Sequence, residues 1–159
     1  MKKRIVLIAL MLFVLSLFAK IPVTEIEGIQ YPIELFKKTD SFTETAKCIE
    51  IIDENTIKVI YQNFEEPEMI TMIGIAELED EQAKNKAIAI NKKFLIDKEL
   101  KLSYDWQGKN DAGEILAYVW VPVSTGYDCY NLFWNVALLI NGYGRLSNEP
   151  MNVFRAVFF

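Results

Sequence analysis

The sequence predicts an α+β domain, mainly β: five strands, one helix between the third and fourth, and a second helix after the fifth. Three observations predict it. Short β-branched segments alternate or run apolar between polar turns. A segment of helical period follows the third of them. There is neither βαβ alternation nor an internal repeat.

The strands can be read in order. "TAKCIEIID" (45–53) alternates, and "TIKVIYQ" (56–62) follows the polar turn Asp53-Glu54-Asn55-Thr56. "NFEEPE" is a turn, and "MITMIGIA" (69–76) is a near-continuous apolar strand suited to a buried position. Residues 77–98 then switch period. Ala83, Ala87, Ile90, Phe94 and Leu95 share one helical face. The acids Glu79 to Glu81 suit the positive end of that helix, and its lysines suit the other. "ELKLSYDW" is the fourth strand, "QGKNDAG" a turn, and "EILAYVWVPV" the fifth strand, ended by Pro122. "STGYDCYN" reads as a loop and "LFWNVALLING" as the second helix, stopped at Asn141-Gly142. This order is that of a five-stranded OB-fold barrel.

The boundaries follow from composition. Lys2, Lys3 and Arg4 precede an apolar run, Ile5 to Ala19, the pattern of a signal peptide. The run is short for a membrane span, which needs roughly 20 apolar residues. Residues 1–19 are therefore expected to be a signal peptide, with an uncleaved N-terminal anchor as the alternative. Export to a periplasmic or external space follows, with membrane attachment only through residues 5–19. Residues 20–44 read as a leader without clear period, and 45–159 as the domain.

Charge and residue usage narrow the function. Loss of residues 1–19 takes the formal charge from −5 by three to −8. An acidic domain is poorly suited to nucleic acid, whose binding relies on Lys and Arg. The partner is left open between nucleic acid, disfavoured by this charge, and a protein. There is no histidine among the 159 residues. Ser–His and Cys–His pairs and imidazole ligands are thereby removed. Acid–base work would fall to carboxylates, lysine or tyrosine. Cys48 and Cys129 could pair in an oxidising compartment, but their ordinary roles are a buried strand thiol and a loop thiol.

Four segments in this order resemble the staphylococcal nuclease-like (thermonuclease) family. Asp53-Glu54-Asn55-Thr56 with "IKV" matches that family's Asp-Gly-Asp-Thr hairpin. "TMIGIAELE" (71–79) matches its Arg-Leu-Ile-Gly-Ile-Asp-Thr-Pro-Glu strand, and "NDAGEILAYV" (110–119) its Asp-x-x-Gly-Arg turn and following strand. "NVALLINGYG" (135–144) matches Asn-x-Ala-Leu-Val-x-x-Gly-Leu-Ala. The resemblance covers roughly residues 45 to 147. It implies an OB barrel and Ca²⁺-dependent hydrolysis of DNA and RNA phosphodiester bonds. Carboxylates would hold the metal, a glutamate would act on water, and arginine forks would stabilise the phosphate.

Carried over residue by residue, the same resemblance implies a degenerate site. Asn55 stands where a ligand aspartate is expected, and Ala76 replaces the second. Thr71 and Glu114 replace the two arginines. Glu79 is the one retained catalytic position, and Asp53 a supporting one. Loss of one preorganised donor alone typically costs ~10²–10³ in rate. The expectation is an exported, catalytically inactive binding or interaction module without a cofactor. The alternative is a divergent nuclease in which Asp53, Asn55 and Glu79 hold Ca²⁺ weakly, helped by Glu54, Glu77 and Asp80. The ordinary role of those acids is a solvated hairpin tip and a helix start.

Other features have plain readings. Tyr104, Trp106, Tyr118, Trp120, Phe133 and Trp134 could stack bases, but in a small barrel they belong to core and rim. "NGYGR" reads as a helix C-cap, with Arg145 on the surface. The apolar tail "FRAVFF" is expected to pack on the barrel or to dock a partner.

Overall fold

A computed structural model describes residues 23–26, 28–32, 36–37, 44–105, 107–124 and 129–147. The chain order is β1 (Val23–Ile26), β2 (Ile29–Pro32), β3 (Phe36–Lys37), β4 (Glu44–Ile51), β5 (Thr56–Tyr61), β6 (Glu68–Met72) and β7 (Ile75–Ala76). Helix α1 (Glu81–Leu95) follows, then β8 (Glu99–Ser103), β9 (Ile115–Ser124), β10 (Cys129–Phe133), α2 (Trp134–Ile140) and β11 (Arg145–Leu146). The apolar run 5–19, Trp106 and the "FRAVFF" tail lie outside the described residues, as do the side chains of Tyr31, Phe36 and Cys129. Among the described residues no helix is long and apolar enough to cross a membrane.

Five strands close into a ring in the order β8, β4, β5, β6, β9 and back to β8. Neighbours are antiparallel except β6 and β9, which run parallel with Ile70 opposite Ile115. The result is a closed mixed barrel of OB-fold type, with α1 between its third and fourth strands. Mainly β with two helices, it has the class the sequence predicts.

Inward positions fill the barrel with Cys48, Ile51, Ile57, Val59, Ile70, Met72, Leu100, Leu102, Ala117, Val119 and Val121, all buried. Strand β4 shows how the alternation is managed. Ala46 and Cys48 point inward, then the pairing with β5 shifts between Cys48 and Glu50. The bulge moves the inward set to odd numbers, so Ile51 is buried while Ile49 is exposed. Cys48 is a free thiol. Burial is the main cause that pushes its pKa up to about 11, so it is no nucleophile near neutral pH.

Strand β9 is buried on both faces. Its odd residues line the barrel, and Leu116, Tyr118 and Trp120 form a second apolar cluster with Ile73, Phe133 and Val136. Phe133 stacks on Trp120 at 4.3 Å between centroids and meets Tyr118 edge-on at 5.7 Å. This double burial explains the unbroken apolar run "ILAYVWV".

Four elements differ from the sequence reading. The third strand does not run through 76. It turns at Gly74 (φ 81°), and β7 pairs with β11 instead of with the barrel. Pro122 does not end β9. It sits opposite Asn131 of β10, beyond the last residue of β9 paired with β8, so no ladder needs its missing N–H. The loop read at 124–131 ends in β10, and α2 accordingly starts at Trp134. The segment read as a leader forms the β1–β2 hairpin, with Ile29 in the core. Asn141 holds this hairpin by accepting from the Gln30 N–H (3.0 Å) and donating to the Gln30 carbonyl (2.6 Å).

The helix faces match their spacing more closely. Asp80 caps α1 by accepting from the Ala83 N–H at 2.7 Å, and Lys92 and Lys93 lie in its last turn. Ala87, Asn91, Phe94 and Leu95 are its buried residues. The end of α2 has C-cap bonds from Gly142 to Leu139 and from Tyr143 to Leu138, with Gly142 at φ 72°. "NGYGR" is thus a helix terminus.

Candidate functional site

The turn between β4 and β5 is built by its own side chains. Asp53 Oδ1 accepts from the backbone N–H of Asn55 (2.9 Å) and of Thr56 (2.7 Å), an Asx turn. Asn55 is buried. Its Nδ2 donates to the Ile75 carbonyl at 3.0 Å, and its Oδ1 accepts from the Thr56 hydroxyl at 3.0 Å. Both ends of the amide are therefore engaged within the protein. Glu54 is 3% exposed, and its carboxylate accepts from the Leu78 N–H at 2.8 Å.

A buried asparagine fixes this turn from behind. Asn91 of α1 donates to the Glu54 carbonyl (2.9 Å) and accepts from the Trp134 indole N–H (2.8 Å). A second, Asn135 of α2, accepts from the Val119 N–H (2.8 Å) and donates to the Ile73 carbonyl (2.9 Å). It ties β9 to the corner where β6 ends. The two asparagines anchor the corners around the turn, a role that their polarity on buried helix faces could have signalled.

The two positions matched to arginines meet each other. Thr71 donates its hydroxyl proton to Glu114 Oε2 at 2.7 Å, and Asn110 Nδ2 donates to the same oxygen at 2.7 Å. The Glu114 N–H returns a bond to Asn110 Oδ1 at 2.9 Å, which closes the turn. These bonds, that from Thr71 foremost, hold the Glu114 carboxyl below its ordinary pKa of 4.5. A lowered pKa stabilises the fold above the ordinary value, and that contribution is lost as pH falls through the folded-state value. Glu114→Gln is therefore expected to melt a few degrees below wild type near neutral pH. The gap should close on acidification below pH 4.5. Thermal denaturation across that pH range checks it, and a gap that does not change with pH would refute it.

The remaining positions are dispersed. Ala76 is half-buried in β7, opposite Arg145 of β11. The Arg145 guanidinium lies 3.8 Å from Glu79 Oε1 and donates to the Glu77 carbonyl at 3.3 Å. The Glu79 side chain is 91% exposed, so this pair adds little to stability. The acids that the alternative reading would set around Ca²⁺ each have another role: Asp53 builds its turn, Glu54 accepts from the Leu78 N–H, Asp80 caps α1 and Glu79 reaches Arg145. Among the described residues no group of three or more Asp, Glu, Cys or His side chains could hold a metal ion.

The aromatics are equally committed. Tyr118, Trp120, Phe133 and Trp134 are each at most 2% exposed, so they offer no stacking surface for bases. Tyr104 is half-buried at the other mouth of the barrel.

The fold thus defines an OB-type barrel whose β4–β5 mouth is closed by internal hydrogen bonds. In comparisons with known proteins, the chain matches no family model and no curated protein.

Proposed function

We propose that the protein is an exported OB-fold binding or interaction module, similar to staphylococcal nuclease-like domains but without their hydrolytic chemistry. One observation carries this reading. At three of the matched positions, Asn55, Thr71 and Glu114, the side chains hydrogen-bond within the protein instead of facing a phosphate. Asn55 spends both ends of its amide on Ile75 and Thr56, and Thr71 spends its hydroxyl on Glu114. A metal at Asn55 Oδ1 would compete with the Thr56 hydroxyl for that oxygen, a buried bond worth about 1 kcal/mol. The Glu114 carboxylate would repel a phosphate at the place where the resemblance expects a guanidinium. Lys2, Lys3 and Arg4 before the run Ile5–Ala19 support export.

Incubation of the full chain with single-stranded DNA and millimolar Ca²⁺ tests the catalytic part. The expected result is no cleavage above a protein-free control. Robust cleavage that Glu79→Gln abolishes would establish the divergent nuclease instead.

A further inference from the structure

At the mouth of the barrel remote from the Asp53 turn lies a cleft of about 340 Å³. It is walled by Tyr61, Phe64, Tyr104 and Ile115, and rimmed by Glu44, Glu65, Glu66 and Glu68. The strands explain the assembly. Tyr61 ends β5, Glu68 begins β6, Glu44 begins β4, Ile115 begins β9 and Tyr104 follows β8, so all five barrel strands deliver a residue there.

The walls are fixed before any ligand arrives. The hydroxyls of Tyr61 and Tyr104 lie 3.0 Å apart, and Tyr104 donates to Glu44 Oε2. Phe64 meets Tyr61 edge-on at 6.2 Å and is 69% exposed. A large aromatic ring so exposed, held against a second ring at the lip of a cleft, is an open contact face. Among the described residues no lysine or arginine lines the cleft. Among the described residues none of its four glutamates forms a salt bridge.

We infer that this cleft binds an organic cation, an alkylammonium or guanidinium group, with Phe64 and Tyr61 against its alkyl stem or cationic face and the glutamates around its charge. Aromatic faces carry negative quadrupole density and attract a cation within about 6 Å. Carboxylates without a cationic partner around a concave wall focus a negative potential into it. The volume lies at the lower end of small-ligand sites, roughly 300–1,000 Å³. A bare metal ion would use the carboxylates and leave the aromatic wall idle, whereas an organic cation uses both. The inference does not depend on how the opposite mouth is read.

The group could arrive as a free amine or as a side chain of a partner protein. Backbone amide NMR of the full chain, titrated separately with 1,4-diaminobutane and with the blocked tripeptide acetyl-Gly-Arg-Gly-amide, distinguishes the two. The amides of Phe64, Glu65, Glu66 and Glu68 should shift in a saturable way with at least one probe. Tighter binding of the diamine assigns a free amine, and tighter binding of the tripeptide a protein side chain. 1,4-Butanediol, neutral and of similar shape, should produce no shift. Phe64→Ala should weaken binding roughly fivefold to tenfold. Glu65→Gln with Glu66→Gln should weaken it similarly and flatten its salt dependence. These three side chains are exposed, so the variants should fold as wild type does. Absence of shifts with both probes would overturn the inference. So would unchanged affinity in Phe64→Ala, or full competition by equimolar Ca²⁺, which would mark an unselective acidic surface.

Discussion

Trp134→Ala is expected to lower the free energy of unfolding by about 4 kcal/mol, within the range for buried large-to-small changes. The indole is fully buried and packs against Phe94 with 5.1 Å between ring centroids. Alanine there leaves a cavity that β9, α1 and α2 could fill only by moving together. The loss also reaches the Asp53 turn. Without the indole N–H, Asn91 keeps its bond to the Glu54 carbonyl but has a buried, unsatisfied Oδ1. For a domain of this size the melting temperature should fall by about 10 °C. Trp134→Phe separates the two effects. It keeps most of the apolar volume, so its cost should be near the ~1–3 kcal/mol of an unpaired buried acceptor. Urea titration of both variants measures this. If the phenylalanine variant were as stable as wild type, the indole–Asn91 bond would have no structural role.

Asn135→Ala should cost about 3 kcal/mol. The Asn135 amide satisfies two backbone groups of buried residues, the Val119 N–H and the Ile73 carbonyl. Alanine strands both, at ~1–3 kcal/mol for each buried orphan. Asn135→Asp is the sharper probe. An aspartate could still accept from Val119 but has nothing to donate to Ile73, and it places a charge among apolar side chains. It should be no more stable than the alanine variant at neutral pH. Loss of less than about 1 kcal/mol in Asn135→Ala would mean that neither backbone group depends on this side chain.

These two residues also show what the sequence made legible. The strand segments and the helix spacing through Ala87, Phe94 and Leu95 announced the barrel, because apolar period reports directly on burial. The element order announced its closure. What stayed hidden depended on contacts between distant segments. Nothing local marks the bulge after Cys48, and a proline normally argues against a strand. Pro122 is admitted only because the β8 pairing has already ended before it, a tertiary circumstance. β10 was concealed by "STGYDC", whose turn-forming residues lead straight into it.

The β4–β5 turn was legible in outline and not in detail. Its residues predicted a polar turn with the shape of a metal loop. That the Asn55 amide faces inward follows from the position of the Ile75 carbonyl, and β7 owes that position to its pairing with β11. The meeting of Thr71 with Glu114 likewise requires the parallel alignment of β6 with β9. The cleft around Tyr61 and Tyr104 was invisible, since five separate segments contribute to it.

The parallel pairing of β6 with β9 also governs how other molecules can approach. It joins with the β8–β9 pairing to leave the five-stranded ring without a free border. Within the ring each of those strands has a neighbour on both sides, so addition of a further strand, a common route for sheets with open edges, is left to the β10–β3 extension that β9 carries past Trp120. Recognition by the closed ring itself then falls to side chains at its two mouths and on its outer wall. One mouth is occupied by the hydrogen bonds of Asn55 and Glu54, and the other presents Phe64 to solvent.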